Sequence, residues 1–145
     1  PVSYCTGGVT SNACVAAISG TGTPSASAGS GFTISVANVE GGQQGILFYG
    51  ADNSGFTPLA WGPSTSFMCV KSPVERMAPQ SAGGTAGQCD GVLSVDWNAF
   101  IATHPFAVGQ PFAAGQHVYA QGWFRDPPSP KTTMLSNGVH FVVCP

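Results

Sequence analysis

Charge is what this sequence has least of: ten of its 145 residues are Asp, Glu, Lys or Arg, 7% of the chain, for a formal net charge of −2. An average soluble chain carries about 25%. Neutralising a nucleic-acid backbone needs clustered Lys and Arg, so four basic residues exclude nucleic acid as the main partner. Long apolar runs are missing too. The strongest stretch, Val139 to Cys144, is interrupted by His140 and falls short of the ~18 residues of a spanning helix, so no membrane insertion is expected. There is no Cys-x-x-Cys pair, no Gly-x-Ser-x-Gly elbow for a serine nucleophile, and no repeat of fixed period. Leucine is scarce, with four Leu against fourteen Val and nine Phe, a bias that favours strands over helices.

What is present is material for one folded, loop-rich domain spanning residues 1–145. Gly and Pro number 20 and 12, yet 43% of the chain is hydrophobic, enough to oppose disorder and build a core. Strands are expected at Val15 to Thr21, Gly31 to Val39, Gly45 to Gly50, Phe67 to Lys71, Gly91 to Asp96, Gln116 to Phe124 and Val139 to Cys144, each bounded by turn formers. The clearest has Phe32, Ile34 and Val36 alternating with Thr33, Ser35 and Ala37, the pattern of one buried face. One short helix is expected from Asp96 to His104, capped by Asp96 and stopped by Pro105. Short strands separated by long Gly- and Pro-rich loops point to an all-β fold, an antiparallel β-sandwich of which the jelly roll is one form. The chain starts at Pro1 rather than Met, which reads as a mature or trimmed product, and both ends are expected to be tied down.

Five cysteines stand at positions 5, 14, 69, 89 and 144, with no histidine at zinc-ligand spacing, so disulfides are expected and a metal site is not. Sequence does not determine connectivity. Cys5 with Cys14 would staple the N-terminal segment and Cys69 with Cys89 would close a Pro- and Gly-rich loop, leaving Cys144 as a buried free thiol or an intermolecular link.

A set of motifs, among them Asn12-Ala13-Cys14, Gly45-Ile46-Leu47-Phe48-Tyr49-Gly50, Cys89-Asp90-Gly91-Val92, Asp96-Trp97-Asn98-Ala99-Phe100, Trp123-Phe124-Arg125-Asp126-Pro127 and Val143-Cys144-Pro145, resembles a secreted bacterial domain found in large extracellular proteins, chiefly of planctomycetes and myxobacteria. The resemblance covers nearly the whole chain and implies export and disulfides, with no catalytic motif. Family members often carry a sixth cysteine just before Gln-Trp-Trp-Gly-Arg-Asp, where this chain has Ala120. If Arg125 lay opposite Val139 in a hairpin, Ala120 would face Cys144 as the lost half of a bridge.

Candidate sites each have a structural explanation. His104, His117 and His140 show no partner set, and that hairpin register keeps His117 and His140 apart. Asp52-Asn53-Ser54-Gly55 reads as a turn rather than a calcium loop, because the distal Glu is absent. Asp90 and Asp96 have no cleft to make them an acid–base pair, and Arg125 with Asp126 is expected to organise the loop that follows. Among Trp61, Trp97, Trp123, Tyr4, Tyr49 and Tyr119, Trp61 in a loop flanked by Gly62 and Pro63 is the best candidate for stacking on a sugar.

The expectation is a non-catalytic extracellular or cell-surface structural domain, self-associating in a surface layer or filament and needing no cofactor. The alternative is a carbohydrate-binding or adhesive module for cell-surface polysaccharide, with a hydrolase last. A surface with so few charges packs against copies of itself with little desolvation cost. Pro1 to Cys14 is the segment expected to reach across to a neighbour.

Overall fold

The computed structural model describes residues 1–145. Eleven strands and one helix follow in chain order: β1 Val2–Tyr4, β2 Ala17–Gly22, β3 Phe32–Val39, β4 Gln44–Gly50, β5 Leu59–Ala60, β6 Phe67–Met68, β7 Glu75–Arg76, β8 Gln80–Ser81, β9 Gly91–Asp96, α1 Trp97–Thr103, β10 His117–Arg125 and β11 Thr133–Val142. A six-stranded sheet runs β1-β11-β10-β4-β7, with β8 also paired to β4. A three-stranded sheet, β2-β3-β9, packs against it, and β5-β6 forms a separate ribbon. All strand pairs are antiparallel, so the molecule is an all-β sandwich with one short helix.

The core lies between the two larger sheets. Ile18, Ile34, Val36 and Leu93 from the small sheet meet Leu47, Tyr49, Val118, Ala120, Phe124, Val139 and Phe141 from the large one. The alternation expected for β3 places Phe32, Ile34 and Val36 in this layer, all fully buried. Helix α1 closes one end: Asp96 caps it by accepting from the Ala99 N–H, and Trp97 turns inward onto Phe32, Phe112 and Phe141.

Three expectations about this frame are corrected. The final strand starts at Thr133, well before Val139, although Ser136-Asn137-Gly138 reads locally as a turn. Tertiary contacts override that signal: Asn137 Oδ1 accepts the Ile18 N–H at 2.8 Å on the edge of β2, and Gly138 is needed because the Tyr4 ring occupies the space a side chain would fill. The hairpin register is also different. Ala120 lies opposite Val139 and Arg125 opposite Thr133, with an irregularity between Gln121 and Trp123, so Ala120 does not face Cys144. Third, the first strand is β1, Val2–Tyr4, well ahead of the expected first strand at Val15; it pairs with β11, and Cys5 and Cys14 on either side of the following segment are both in disulfides. The far end is held as expected, by Cys144 N–H to Pro24 O at 2.8 Å and Ala26 N–H to Cys144 O at 2.9 Å.

The same four cysteines form the bridges, but the pairing is crossed relative to the expectation. Cys5 bonds Cys69 and Cys14 bonds Cys89, at sequence separations of 64 and 75, and Cys144 stays a half-buried free thiol. Long closures of this kind constrain the unfolded chain more than short local staples do.

Candidate functional site

The outer face of the large sheet is built in two parts. One end is roofed by the chain between β4 and β7, under which Phe48, Val70 and Leu135 form a second small core with Tyr119, Trp123, Met68 and Trp61 around them. Gln121 pins that roof from the sheet, accepting the Cys69 N–H at 2.9 Å and donating to Phe67 O and Ser136 O at 2.7 Å each. The other end is open. There His117 and Tyr119 of β10 project beside His140 and Val142 of β11, with Val2 of β1 opposite His140.

In this open part His117 Nδ1 and His140 Nε2 are 2.7 Å apart, one ring nitrogen donating to the other. The ring planes agree within 3° and the centroids are 4.9 Å apart. With nitrogens that close, two parallel rings so separated lie edge to edge in nearly one plane rather than face to face. Tyr119 lies against His140 at 4.8 Å and 18°. Burial, then the neighbouring His117, holds the His140 imidazole below its ordinary pKa, which favours the neutral form. The expectation that the strands keep these histidines apart is therefore overturned, because the observed register sets Tyr119 directly against His140 and His117 two pairs further along, on the same face.

Beside the pair opens a cleft of about 310 Å³ lined by Ala51, Asp52, Asn53, Ser54, Gln116, His117 and Tyr119. Its wall is the Asp52-Asn53-Ser54-Gly55 turn, formed as expected, with the Ser54 N–H donating to Asp52 Oδ1 at 2.8 Å. Asn53 is consumed structurally: its amide donates to Cys69 O at 3.0 Å and accepts the Lys71 N–H at 2.9 Å. Hydrogen bonds from Ser54 keep the Asp52 carboxyl below the usual range, and Lys71 Nζ lies 3.8 Å away. Tyr4 seals the base of the turn by donating to Cys69 O at 2.7 Å, and burial pushes its phenol up to about 12. The cleft thus offers a carboxylate, an amide, an imidazole and an aromatic ring.

The remaining candidates take structural places. Trp61 is half-buried, donates to Thr133 Oγ1 at 3.0 Å, and carries Lys131 Nζ 4.8 Å above its ring, so that face is covered. Trp97 and Tyr49 are in the main core. His104 caps α1 at its C-terminal end and stacks on Phe100 at 3.9 Å. Asp90 accepts the Thr85 N–H at 2.8 Å while Asp96 holds the helix, so they do not form a pair of acid and base. Burial of Asp96 is outweighed by backbone N–H donors, Gly31 and Ala99 foremost, which lower its pKa. The Asp126 backbone carbonyl accepts from Ser129 N–H at 2.9 Å, but its carboxylate goes to Ser11 rather than to the following loop, and the Arg125 guanidinium takes no part in organising that loop.

One acidic residue was invisible to sequence reading. Glu40 is only 4% exposed and accepts from Thr10 Oγ1 at 2.5 Å and Asn12 Nδ2 at 2.6 Å, beside the Cys14–Cys89 bridge. Those two sulfurs and a Glu40 oxygen lie within 4.8 Å of one another, but sulfurs joined in a disulfide are not thiolate ligands. No signal in the sequence around Val39-Glu40-Gly41 marks this residue as buried. The chain matches no family model, no curated protein and no solved structure.

Proposed function

We propose that this chain is a non-catalytic extracellular structural domain that self-associates through the open end of the β1-β11-β10 face, as a subunit of a surface layer or filament. The observation that carries the reading is the composition of that face. Val2 is 65% exposed and Val142 41% exposed beside two imidazoles, and neither β1 nor β11 contains an Asp, Glu, Lys or Arg. Burying these strands against a copy desolvates no carboxylate, lysine or guanidinium of β1 or β11. The two disulfides support an oxidising compartment, in keeping with the resemblance to secreted bacterial domains. The test is light scattering over a concentration series: the mass of the intact protein should rise with concentration, and Val142→Glu should hold it at the monomer. A monomer at every concentration would overturn the reading.

A second reading, binding of a cell-surface polysaccharide, is favoured by the cleft itself. Tyr119 offers a ring, while Asp52 and Gln116 offer the hydrogen-bonding groups that a sugar hydroxyl takes. Retention on polysaccharide that is lost on Tyr119→Ala, with the monomer unchanged, would select it over self-association.

A further inference from the structure

We propose that His117 and His140 form a two-imidazole site for a divalent late first-row metal ion, copper(II) foremost, at the mouth of the cleft. Imidazole nitrogen is a preferred ligand for copper, nickel and zinc, and it binds in the neutral form. Each ring already directs a nitrogen at the other, 2.7 Å away. At metal–nitrogen distances of ~2.0 Å, ligands at right angles stand about 2.8 Å apart and ligands at the tetrahedral angle about 3.3 Å. A modest turn of the two rings opens this 2.7 Å hydrogen-bond spacing to that of right-angled ligands, which suits a square-planar or tetragonal ion, the geometry of copper(II) and nickel(II). Copper(II) leads because its affinity for nitrogen sites exceeds that of its neighbours in the series.

The proton balance is simple. One ring nitrogen of the pair carries the shared hydrogen, and moving that hydrogen to the same ring's outward nitrogen leaves lone pairs on both His117 Nδ1 and His140 Nε2. No net proton is lost at neutral pH. The rings then turn about χ2 until both lone pairs meet at the ion. Room for this exists because His117 is exposed and borders the cleft, while Tyr119 against His140 limits how far that ring swings. Water completes the shell on the side of the cleft, which His117 borders. This inference does not depend on self-association, since both ligands come from one chain.

The experiment titrates the intact, disulfide-bonded protein with copper(II) chloride in a non-coordinating buffer at about pH 7.5, where unperturbed imidazole is neutral. Electron paramagnetic resonance should show one tetragonal copper(II) per chain with hyperfine coupling from two nitrogens. His117→Gln, on an exposed side chain, and His140→Gln should each weaken binding roughly tenfold or more. His104→Gln, on the helix end, should leave binding unchanged. Circular dichroism and thiol counting confirm that each variant is folded and oxidised. Coupling to a single nitrogen, an equal loss in His104→Gln, or undiminished binding in the double variant of His117 and His140 would each overturn the proposal.

Discussion

Ser11 gives both its backbone N–H and its hydroxyl to the carboxylate of Asp126, at 2.8 and 2.5 Å, across 115 positions of sequence. The contact ties the N-terminal segment to the turn after β10, and the Asp126 residue is 1% exposed. Hydrogen bonds to a charged group contribute about 1.5–3 kcal/mol each. Asp126→Ala is expected to lower unfolding free energy by about 2–3 kcal/mol and Ser11→Ala by about 1 kcal/mol, read from urea denaturation. Equal and negligible effects from both would show that the contact carries no stability.

The crossed disulfides are checked by peptide mapping without reduction. One linked pair should contain Cys5 with Cys69 and the other Cys14 with Cys89, and one free thiol should map to Cys144. Closures of this length contribute about 4 kcal/mol each in the chain-entropy picture, so Cys14→Ser with Cys89→Ser should cost on that order. Recovery of Cys5 linked to Cys14 would refute the topology of the N-terminal segment.

The histidine pair predicts a pH dependence of stability. The His140 pKa is lowered in the folded state, so between that value and the ordinary 6.5 the unfolded chain binds more protons than the folded one. Stability is therefore full above the unfolded value and falls as pH drops below it through the folded one. Thermal melts from about pH 7.5 to 5 should show a decline that His140→Gln flattens. A melting temperature rising over that range in the native protein would contradict the sign.

The free edge of β9 is guarded by a side chain. Gln80 donates from Nε2 to Ser94 O and accepts the Ser94 N–H at Oε1, both at 3.0 Å, so its amide stands in for a neighbouring strand. Gln80→Ala should speed hydrogen exchange at the Ser94 amide while costing about 1 kcal/mol of global stability. Unchanged exchange at Ser94 would mean that the edge is protected by something else.

Several features of this protein are determined by short stretches of its sequence. Phe32, Ile34 and Val36 bury one face because strand alternation has a period of two, and Asp96 with Pro105 bounds the helix because capping and the missing proline N–H act within a few residues. That the cysteines form bridges rather than a metal site follows from the lack of ligand spacing, but which of the five stays free does not. Partners distant in sequence were decided only by the tertiary structure. Shifting the residue opposite Val139 from Arg125 to Ala120, five positions, is an odd step, and an odd step turns every side chain of the strand to the other face relative to its partner. That register, set by packing between the sheets and by the irregularity beside Gly122, is what brings His117 against His140. Disulfide connectivity has the same origin. Loop-closure entropy grows only logarithmically with length, so it discriminates weakly between a nine-residue span and one of 64 or 75, and the pairing goes to the cysteines that the folded sheets place side by side.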